Sequence, residues 1–283
     1  MAKRKTVADF IALKKTGEKI TMLTAYDASM AALIAGCGVD ALLVGDSLGM
    51  VVLGYDSTVP VTMDEMIHHA SAVRRGAPGA FIIGDMPFGS YQSSPRDAVI
   101  NGSRFLKEAG CDAVKLEGGM EVCATVAAMV AAGISVMGHI GLTPQTATQL
   151  GGYKVQGRDL ESARKMVEAA EGLQQAGAFG LVLECIPDQL ARIITETLSV
   201  PTIGIGAGVH CDGQVLVTHD LLGMFEKFIP SFVKTYTNLS PLIKENVTRY
   251  AEEVRQGSFP DVAHSFPTQS DFSELLGQKE PDA

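Results

Sequence analysis

The sequence predicts an α/β protein in which eight parallel strands close into a (β/α)8 barrel, also called a TIM barrel. Eight short runs rich in Val, Ile and Leu recur along the 283 residues, and helix-like segments separate them. These runs are nearly continuous in apolar residues, which is typical of parallel strands that are covered on both faces. Strands that alternate with helices indicate a parallel sheet, and about 250 residues is an ordinary length for one barrel. A doubly wound open sheet is the alternative, although it usually has fewer strands and a phosphate-binding turn after the first one.

The predicted strands extend from near the N-terminus into the last third of the chain. They cover residues 19–25, 39–46, 80–85, 112–118, 134–140, 179–185, 201–207 and 213–220. The seventh is followed by a glycine-rich loop that ends at Gly208, where barrels often bind phosphate. Tight packing explains these glycines equally well.

The predicted helices have recognisable ends. Thr62 and Glu65 form a capping box, and Gly76 ends that helix. Ser94 and Pro95 supply an N-cap and a proline at the first helical position. Further helices are predicted over 121–133, 159–177, 187–199 and from Ser240 to about Gly257. We predict one catalytic domain over residues 1–257, with an N-terminal helix and a C-terminal helical extension, and a tail over 258–283.

Composition and charge argue against several kinds of partner. The net charge is −9, and the one basic cluster lies at the extreme N-terminus, so nucleic acid is not expected. No apolar run approaches the roughly 18 residues of a membrane helix, and no membrane partner is expected. Five scattered cysteines without a C-x-x-C pair, and no signal-peptide pattern, predict reduced thiols and a cytoplasmic location.

Charged residues occur at the carboxyl ends of the second to sixth predicted strands. They are Asp46, Asp85, Glu117, His139 and Glu184, with Lys115 two residues before Glu117 and therefore on the same side of its strand. These strand ends meet at the face that carries the active site in such barrels. A Gly-Asp pair after a strand is also a common turn, so each residue alone has a purely structural explanation. As a set they indicate a site, because crowded carboxylates repel unless a proton or a cation intervenes.

The residue types at this mouth favour a metal. Asp46 and Asp85, with Glu117 as a further ligand, offer oxygen atoms only, which suits Mg²⁺, whereas Zn²⁺ more often takes His or Cys. Glu184 then remains as a candidate general base. Lys115 could hold a substrate carboxylate as an ion pair or form a Schiff base.

Two other features concern the shape of the mouth. The long segments 47–62 and 141–158 are rich in glycine and are candidate lids. Gly45 and Gly84 precede the two aspartates, and we predict that they keep the strand exits narrow enough to place both side chains.

Seven blocks of the sequence follow the order of a known family. They are 45–73 (beginning GDSLG), 84–92 (GDMPFGSYQ), 113–119 (AVKLEGG), 137–145 (MGHIGLTPQ), 151–158 (GGYKVQGR), 181–187 (LVLECIP) and 203–224 (beginning IGIGAG). Over residues 6–257 the chain resembles the ketopantoate hydroxymethyltransferases. The resemblance implies a barrel of the phosphoenolpyruvate mutase-like kind, assembled as a homo-decamer.

The resemblance also implies a reaction. A hydroxymethyl group passes from the co-substrate 5,10-methylenetetrahydrofolate to 3-methyl-2-oxobutanoate, a 2-oxo acid. The product is 2-dehydropantoate, a step of pantothenate biosynthesis, and the reaction proceeds through a metal-stabilised enolate. One Mg²⁺ per subunit is implied.

The roles of individual residues follow from the matching motifs. The implied metal ligands are Asp46, Asp85 and Glu117. The implied substrate contacts are Asp46, Ser47, Asp85 and Lys115, and we add His139 to them because of its position. Glu184 matches the proton acceptor.

Two alternatives remain open at the level of sequence. The same barrel and metal could serve a C–C lyase that acts on a 2-oxo or 2-hydroxy acid. The chain could also be a non-catalytic protein that binds a metabolite, although the intact set of carboxylates argues against this.

Overall fold

The computed structural model describes residues 4–227 and 229–272. The chain divides into two compact units, the first ending at Tyr236 and the second beginning at Thr237. The predicted domain boundary at residue 257 stays a prediction, and the part of the predicted tail after residue 272 lies outside the described residues. None of the helices among the described residues has both the length and the apolar character needed to cross a membrane.

The first unit contains a closed barrel of eight strands. All neighbouring strands pair in parallel, and β8 pairs with β1 to complete the barrel. The strands are β1 (Ile20–Thr24), β2 (Ala41–Val44), β3 (Phe81–Asp85), β4 (Ala113–Glu117), β5 (Val136–Gly141), β6 (Gly180–Glu184), β7 (Thr202–Ile205) and β8 (Gly213–Leu216). Each lies inside a predicted run or extends one residue beyond it, so the predicted (β/α)8 barrel is confirmed. The eighth run was predicted too long, because its strand ends at Leu216 and a helix begins at Thr218.

Helices precede, separate and follow the strands. They are α1 (Val7–Thr16), α2 (Ala28–Gly36), α3 (Leu48–Val51), α4 (Met63–Gly76), α5 (Pro95–Lys107), α6 (Cys123–Ala131), α7 (Leu160–Gln175), α8 (Asp188–Thr197), α9 (Thr218–Leu221) and α10 (Leu239–Arg255). Short 3₁₀ turns occur at Met120–Val122, Pro144–Thr146 and Val262–His264.

The predicted helix starts are mostly confirmed. Thr62 forms the reciprocal capping box of α4, with its N–H donating to Glu65 Oε2 at 2.7 Å, and Ser94 caps α5. The predicted cap of α10 was wrong by two residues, because Asn238 and not Ser240 is the cap and the helix begins at Leu239. Pro241 is therefore the third residue of the helix. A backbone N–H in the first turn has no partner within the helix, so the N–H that proline lacks costs no hydrogen bond here.

The barrel interior is packed in layers. Side chains at alternate strand positions point inward, and in β3 these are Phe81, Ile83 and then Asp85. At the amino-terminal end of the barrel, Phe10 of α1 is fully buried, with its ring centroid 4.7 Å from that of Phe81. The apolar side chains thus fill the amino-terminal end of the barrel interior. The next inward positions of the same strands carry the polar residues at the carboxyl-terminal end.

Candidate active site

A cavity of about 320 Å³ opens at the carboxyl ends of the strands. All seven site residues predicted from the sequence line it: Asp46, Ser47, Asp85, Lys115, Glu117, His139 and Glu184. The structure therefore brings the complete predicted set together, while the role assigned to each residue stays a prediction.

Lys115 is the central positive charge of this cavity. Its Nζ atom lies 2.7 Å from Asp85 Oδ1 and 4.0 Å from Glu117 Oε1, and the side chain is buried. Burial lowers the pKa of Lys115, but the surrounding carboxylates outweigh it and hold the pKa above its usual value. A lysine that stays protonated cannot act as a nucleophile, so the ion-pair role is favoured over a Schiff base.

The two aspartates are held next to each other. The Asp46 N–H donates to Asp85 Oδ2 at 3.1 Å. Burial raises the pKa of both carboxyl groups, and the charges of Asp85 and Glu117 raise that of Asp46 further. Each carboxylate is thus costly to ionise in the free protein, and a cation would relieve that cost.

His139 connects two carboxylates. Its Nδ1 atom lies 3.5 Å from Glu117 Oε1 and its Nε2 atom 3.3 Å from Glu184 Oε2. Burial and Lys115 lower the pKa of His139, but the two carboxylates prevail and raise it to about 9. The Nδ1 atom of His139 also lies 3.2 Å from Lys115 Nζ. On Glu117 burial raises the pKa, but contacts with His139, Lys115 and a backbone N–H lower it overall.

Two uncharged residues complete the site, and the sequence reasoning missed both. The Gln145 amide nitrogen donates to Asp46 Oδ2 at 2.9 Å, and its backbone N–H donates to Glu117 Oε2 at 3.0 Å. The Tyr91 hydroxyl lies 2.9 Å from Gln145 Oε1 and accepts the Glu117 N–H at 3.1 Å. Gln145 lies in the candidate lid 141–158 and ends the family-like block 137–145, and Tyr91 lies in the block 84–92, but neither signal assigns them a role.

The glycines before the aspartates have different structural reasons. A Cβ atom on Gly84 would lie 2.3 Å from a ring carbon of Phe105, so this glycine lets α5 pack closely on β3. A Cβ atom on Gly45 would lie 2.9 Å from Ser47 Oγ, which is itself 2.8 Å from the Tyr26 hydroxyl. Of these two glycines, only Gly45 leaves room for an atom of a site residue, Ser47 Oγ.

The donor set fits a hard divalent cation in its chemistry. Asp46, Asp85 and Glu117 offer carboxylate oxygens, and two of these groups have pKa values that burial raises. In the described part of the chain, no three His, Cys, Asp or Glu side chains are already arranged around one point. Their oxygens are instead held by N–H donors of Gln145, Lys115 and the backbone, which would have to share them with an ion.

Comparison with known families identifies the kind of protein to which this site belongs. A family model described as ketopantoate hydroxymethyltransferase matches residues 4–262. The chain belongs to this family. Its membership confirms the family predicted from the sequence and makes the chain a hydroxymethyltransferase.

Curated relatives share most of their length with this ketopantoate hydroxymethyltransferase family member. A protein of Desulfotalea psychrophila is 64% identical over 273 residues, which is 96% of this chain and 98% of the relative. One from Carboxydothermus hydrogenoformans is 56% identical over 96% of this chain and 99% of the relative. One from Moorella thermoacetica is 59% identical over 93% and 98%. All three are named 3-methyl-2-oxobutanoate hydroxymethyltransferase.

Solved structures show the kind of barrel. Phosphonopyruvate hydrolase, in complex with oxalate and Mg²⁺, aligns with a TM-score of 0.59 and 14% identity over 96% of this chain and 95% of that chain. A 2,3-dimethylmalate lyase, described as a member of the PEP mutase/isocitrate lyase superfamily, gives 0.58 and 16% over 89% and 88%. At these identities the likeness shows the fold alone, and it confirms the predicted phosphoenolpyruvate mutase-like barrel.

Proposed function

We propose that the chain transfers a hydroxymethyl group from 5,10-methylenetetrahydrofolate to 3-methyl-2-oxobutanoate, giving 2-dehydropantoate for pantothenate biosynthesis. Family membership and the relatives' shared name support the acceptor. The observation that carries the proposal is a continuous row of acidic and basic side chains across the cavity. It passes from Glu184 through His139 to Glu117, then through Lys115 to Asp85, with each neighbouring pair within 4.0 Å.

We also propose one Mg²⁺ per subunit, held by Asp46, Asp85 and Glu117. When bound, the ion would act as a Lewis acid that draws electron density from the 2-oxo group and acidifies the neighbouring C–H bond. The raised pKa values of Asp46 and Asp85 support this assignment, because a cation would favour their ionised forms.

Glu184 is the proposed base. Its side chain is 16% exposed at the end of β6 and lines the cavity, and one of its oxygens lies 3.3 Å from His139 Nε2. It would remove the C3 proton of the 2-oxo acid and leave an enolate. Lys115 would hold the substrate carboxylate as an ion pair, and Ser47 would donate to it.

The methylene carbon of the folate is bonded to both N5 and N10. Opening of that ring would break one C–N bond and leave an iminium carbon, to which the enolate carbon would bond. Water would then displace the second nitrogen and supply the hydroxyl group of the product. The electron pairs of both broken C–N bonds stay on nitrogen, and the two nitrogens take up the proton removed from C3 and one proton from water. Tetrahydrofolate is the second product.

A turnover assay tests the proposal. We expect 2-dehydropantoate only when both substrates are present, loss of activity with a chelator, and recovery on addition of Mg²⁺. Product formation from a 2-oxo or 2-hydroxy acid without folate would support the alternative C–C lyase. Full activity in the chelator would overturn the proposed metal.

We propose, in line with the resemblance, a homo-decameric assembly and a cytoplasmic location. Light scattering on the purified full chain tests the assembly, and a mass of one or two subunits would contradict it.

A further inference from the structure

Asp220 is a buried carboxylate in the active-site cavity that the proposed reaction does not use. It belongs to α9, which begins directly after β8, and its residue is only 6% exposed. It lines the same cavity as the catalytic set. Thr218 fixes the start of α9 on β1, because its hydroxyl donates to Thr24 O at 2.5 Å and its N–H donates to Thr24 Oγ1 at 3.0 Å. The backbone that carries Asp220 is therefore anchored to the barrel.

One oxygen atom of the Asp220 carboxylate, Oδ1, has no hydrogen-bond donor among the residues that the structure describes. Within that part of the chain Asp85 Oδ1 likewise accepts no hydrogen bond, but it lies 2.7 Å from the charged Lys115 Nζ. Asp46, by contrast, is held by Gln145. Burial raises the pKa of Asp220 to about 6. A buried polar group without a partner costs free energy, and a ligand that supplies N–H donors would recover it.

The cavity that Asp220 lines has side chains that suit a flat ring. Three aromatic side chains, Tyr153, Phe225 and Phe232, line the cavity together with apolar residues at the ends of β7 and β8. Aromatic faces stack on planar heterocycles, and a volume of about 320 Å³ is within the range of small-molecule sites. The ligand indicated is a planar heterocycle that carries N–H donors on one edge.

The strand order places Asp220 relative to the proposed metal ligands. Asp220 lies in α9 after β8, which in the closed barrel is two strands from β2, where Asp46 follows, and four strands from β4, which carries Glu117. A ligand held by Asp220 would therefore lie nearer to Asp46 than to Glu117 along the rim of the barrel.

We propose that Asp220 binds the reduced pteridine ring of the folate donor by accepting hydrogen bonds from its ring N–H and its neighbouring amino group. A carboxylate accepts such a parallel pair of donors with charge assistance. The proposal rests on the proposed function, since that function supplies a folate.

The test measures binding of the ring alone to the full chain. Isothermal titration with 6-methyltetrahydropterin should show affinity about 10- to 100-fold weaker for Asp220→Asn than for the wild type. Asp56→Asn, the same chemical change on a fully exposed side chain, should bind like the wild type. Binding of 3-methyl-2-oxobutanoate with Mg²⁺ should stay within twofold in both variants, which also shows that they are folded.

The outcomes separate the two proposals. If the wild type neither binds tetrahydrofolate nor turns over, the folate-dependent function fails and the subsite fails with it. If the wild type binds the pterin and Asp220→Asn binds it equally well, only the subsite is wrong. A loss of affinity for p-aminobenzoylglutamate, without loss for the pterin, would place Asp220 at the tail of the folate and overturn the assignment.

Discussion

Glu184 lies at the end of β6 with one oxygen 3.3 Å from His139 Nε2, in a position suited to proton removal. We expect Glu184→Gln to slow exchange of the C3 proton of 3-methyl-2-oxobutanoate by about 10²- to 10⁴-fold, because the amide cannot accept the proton. Proton NMR in D₂O with Mg²⁺ measures this exchange without folate. Exchange at the wild-type rate would assign the base elsewhere.

Gln145 joins two of the proposed metal ligands, since it donates to both Asp46 and Glu117. Removing a group that orients metal ligands typically lowers metal affinity by about 10- to 100-fold, and we expect this for Gln145→Ala. Calorimetric titration of the apo protein with Mg²⁺ gives the affinity directly. Gln149→Ala is the matched control, because Gln149 is an exposed residue of the same loop. Equal Mg²⁺ affinity in both variants would show that Gln145 does not position the ligands.

The unpartnered carboxylate of Asp220 makes stability depend on pH. Burial raises its pKa from 3.8 to about 6, so the folded state favours the protonated form. The free energy of unfolding therefore falls as pH rises through this window, by up to about 3 kcal/mol, and the full penalty applies above pH 6.

We expect Asp220→Asn to be more stable than the wild type at pH 8, and the difference to shrink towards pH 4. Urea unfolding of the folate-free protein at both pH values measures it. A difference that is the same at both would mean that Asp220 has no raised pKa.

At the scale of elements, the sequence predicted what local chemistry determines. The capping box of Thr62 and Glu65 involves residues three apart, and the strands carry their own apolar pattern. The one-turn helix α3 was not predicted, because four residues show no helical period. Tyr91 and Gln145 were also missed, since they are uncharged and meet only when two loops fold over the barrel. The charged residues of the site were predicted because they lie at strand ends, and the end of a strand fixes the direction of its side chains.

The contact between β3 and α5 depends on Gly84, because a residue without a side chain lets the helix pack closely on the strand. We expect Gly84→Ala to lower the free energy of unfolding by about 1–3 kcal/mol, because its Cβ atom would overlap the Phe105 ring. Combining it with Phe105→Leu should recover part of the loss. Gly79→Ala is the control, since no heavy atom lies within 4 Å of its added Cβ atom. Urea unfolding compares the variants, and equal stability of Gly84→Ala and the wild type would contradict this packing.

Across the whole barrel, stability and chemistry lie at opposite ends. Phe10 of α1 is fully buried at the amino-terminal end, against Phe81 and Phe179. We expect Phe10→Ala to cost about 3–5 kcal/mol in urea unfolding, with little change in the affinity of the folded protein for Mg²⁺. Leu33→Ala, at a residue that is 67% exposed, should cost far less. A Phe10→Ala protein as stable as the control would exclude this role for α1.

The side chains of β4 that point into the barrel have a consequence for errors in folding. Ala113 belongs to the apolar interior, and two further steps of two residues bring Lys115 and Glu117 to the mouth. A slip of one residue would turn both charges toward the surrounding helices and bring Val114 and Leu116 inward. A one-residue error in the register of β4 would thus remove catalytic activity and folding stability together. A chain with this error would be inactive and open to proteolysis, and it would not act as a slow or promiscuous enzyme.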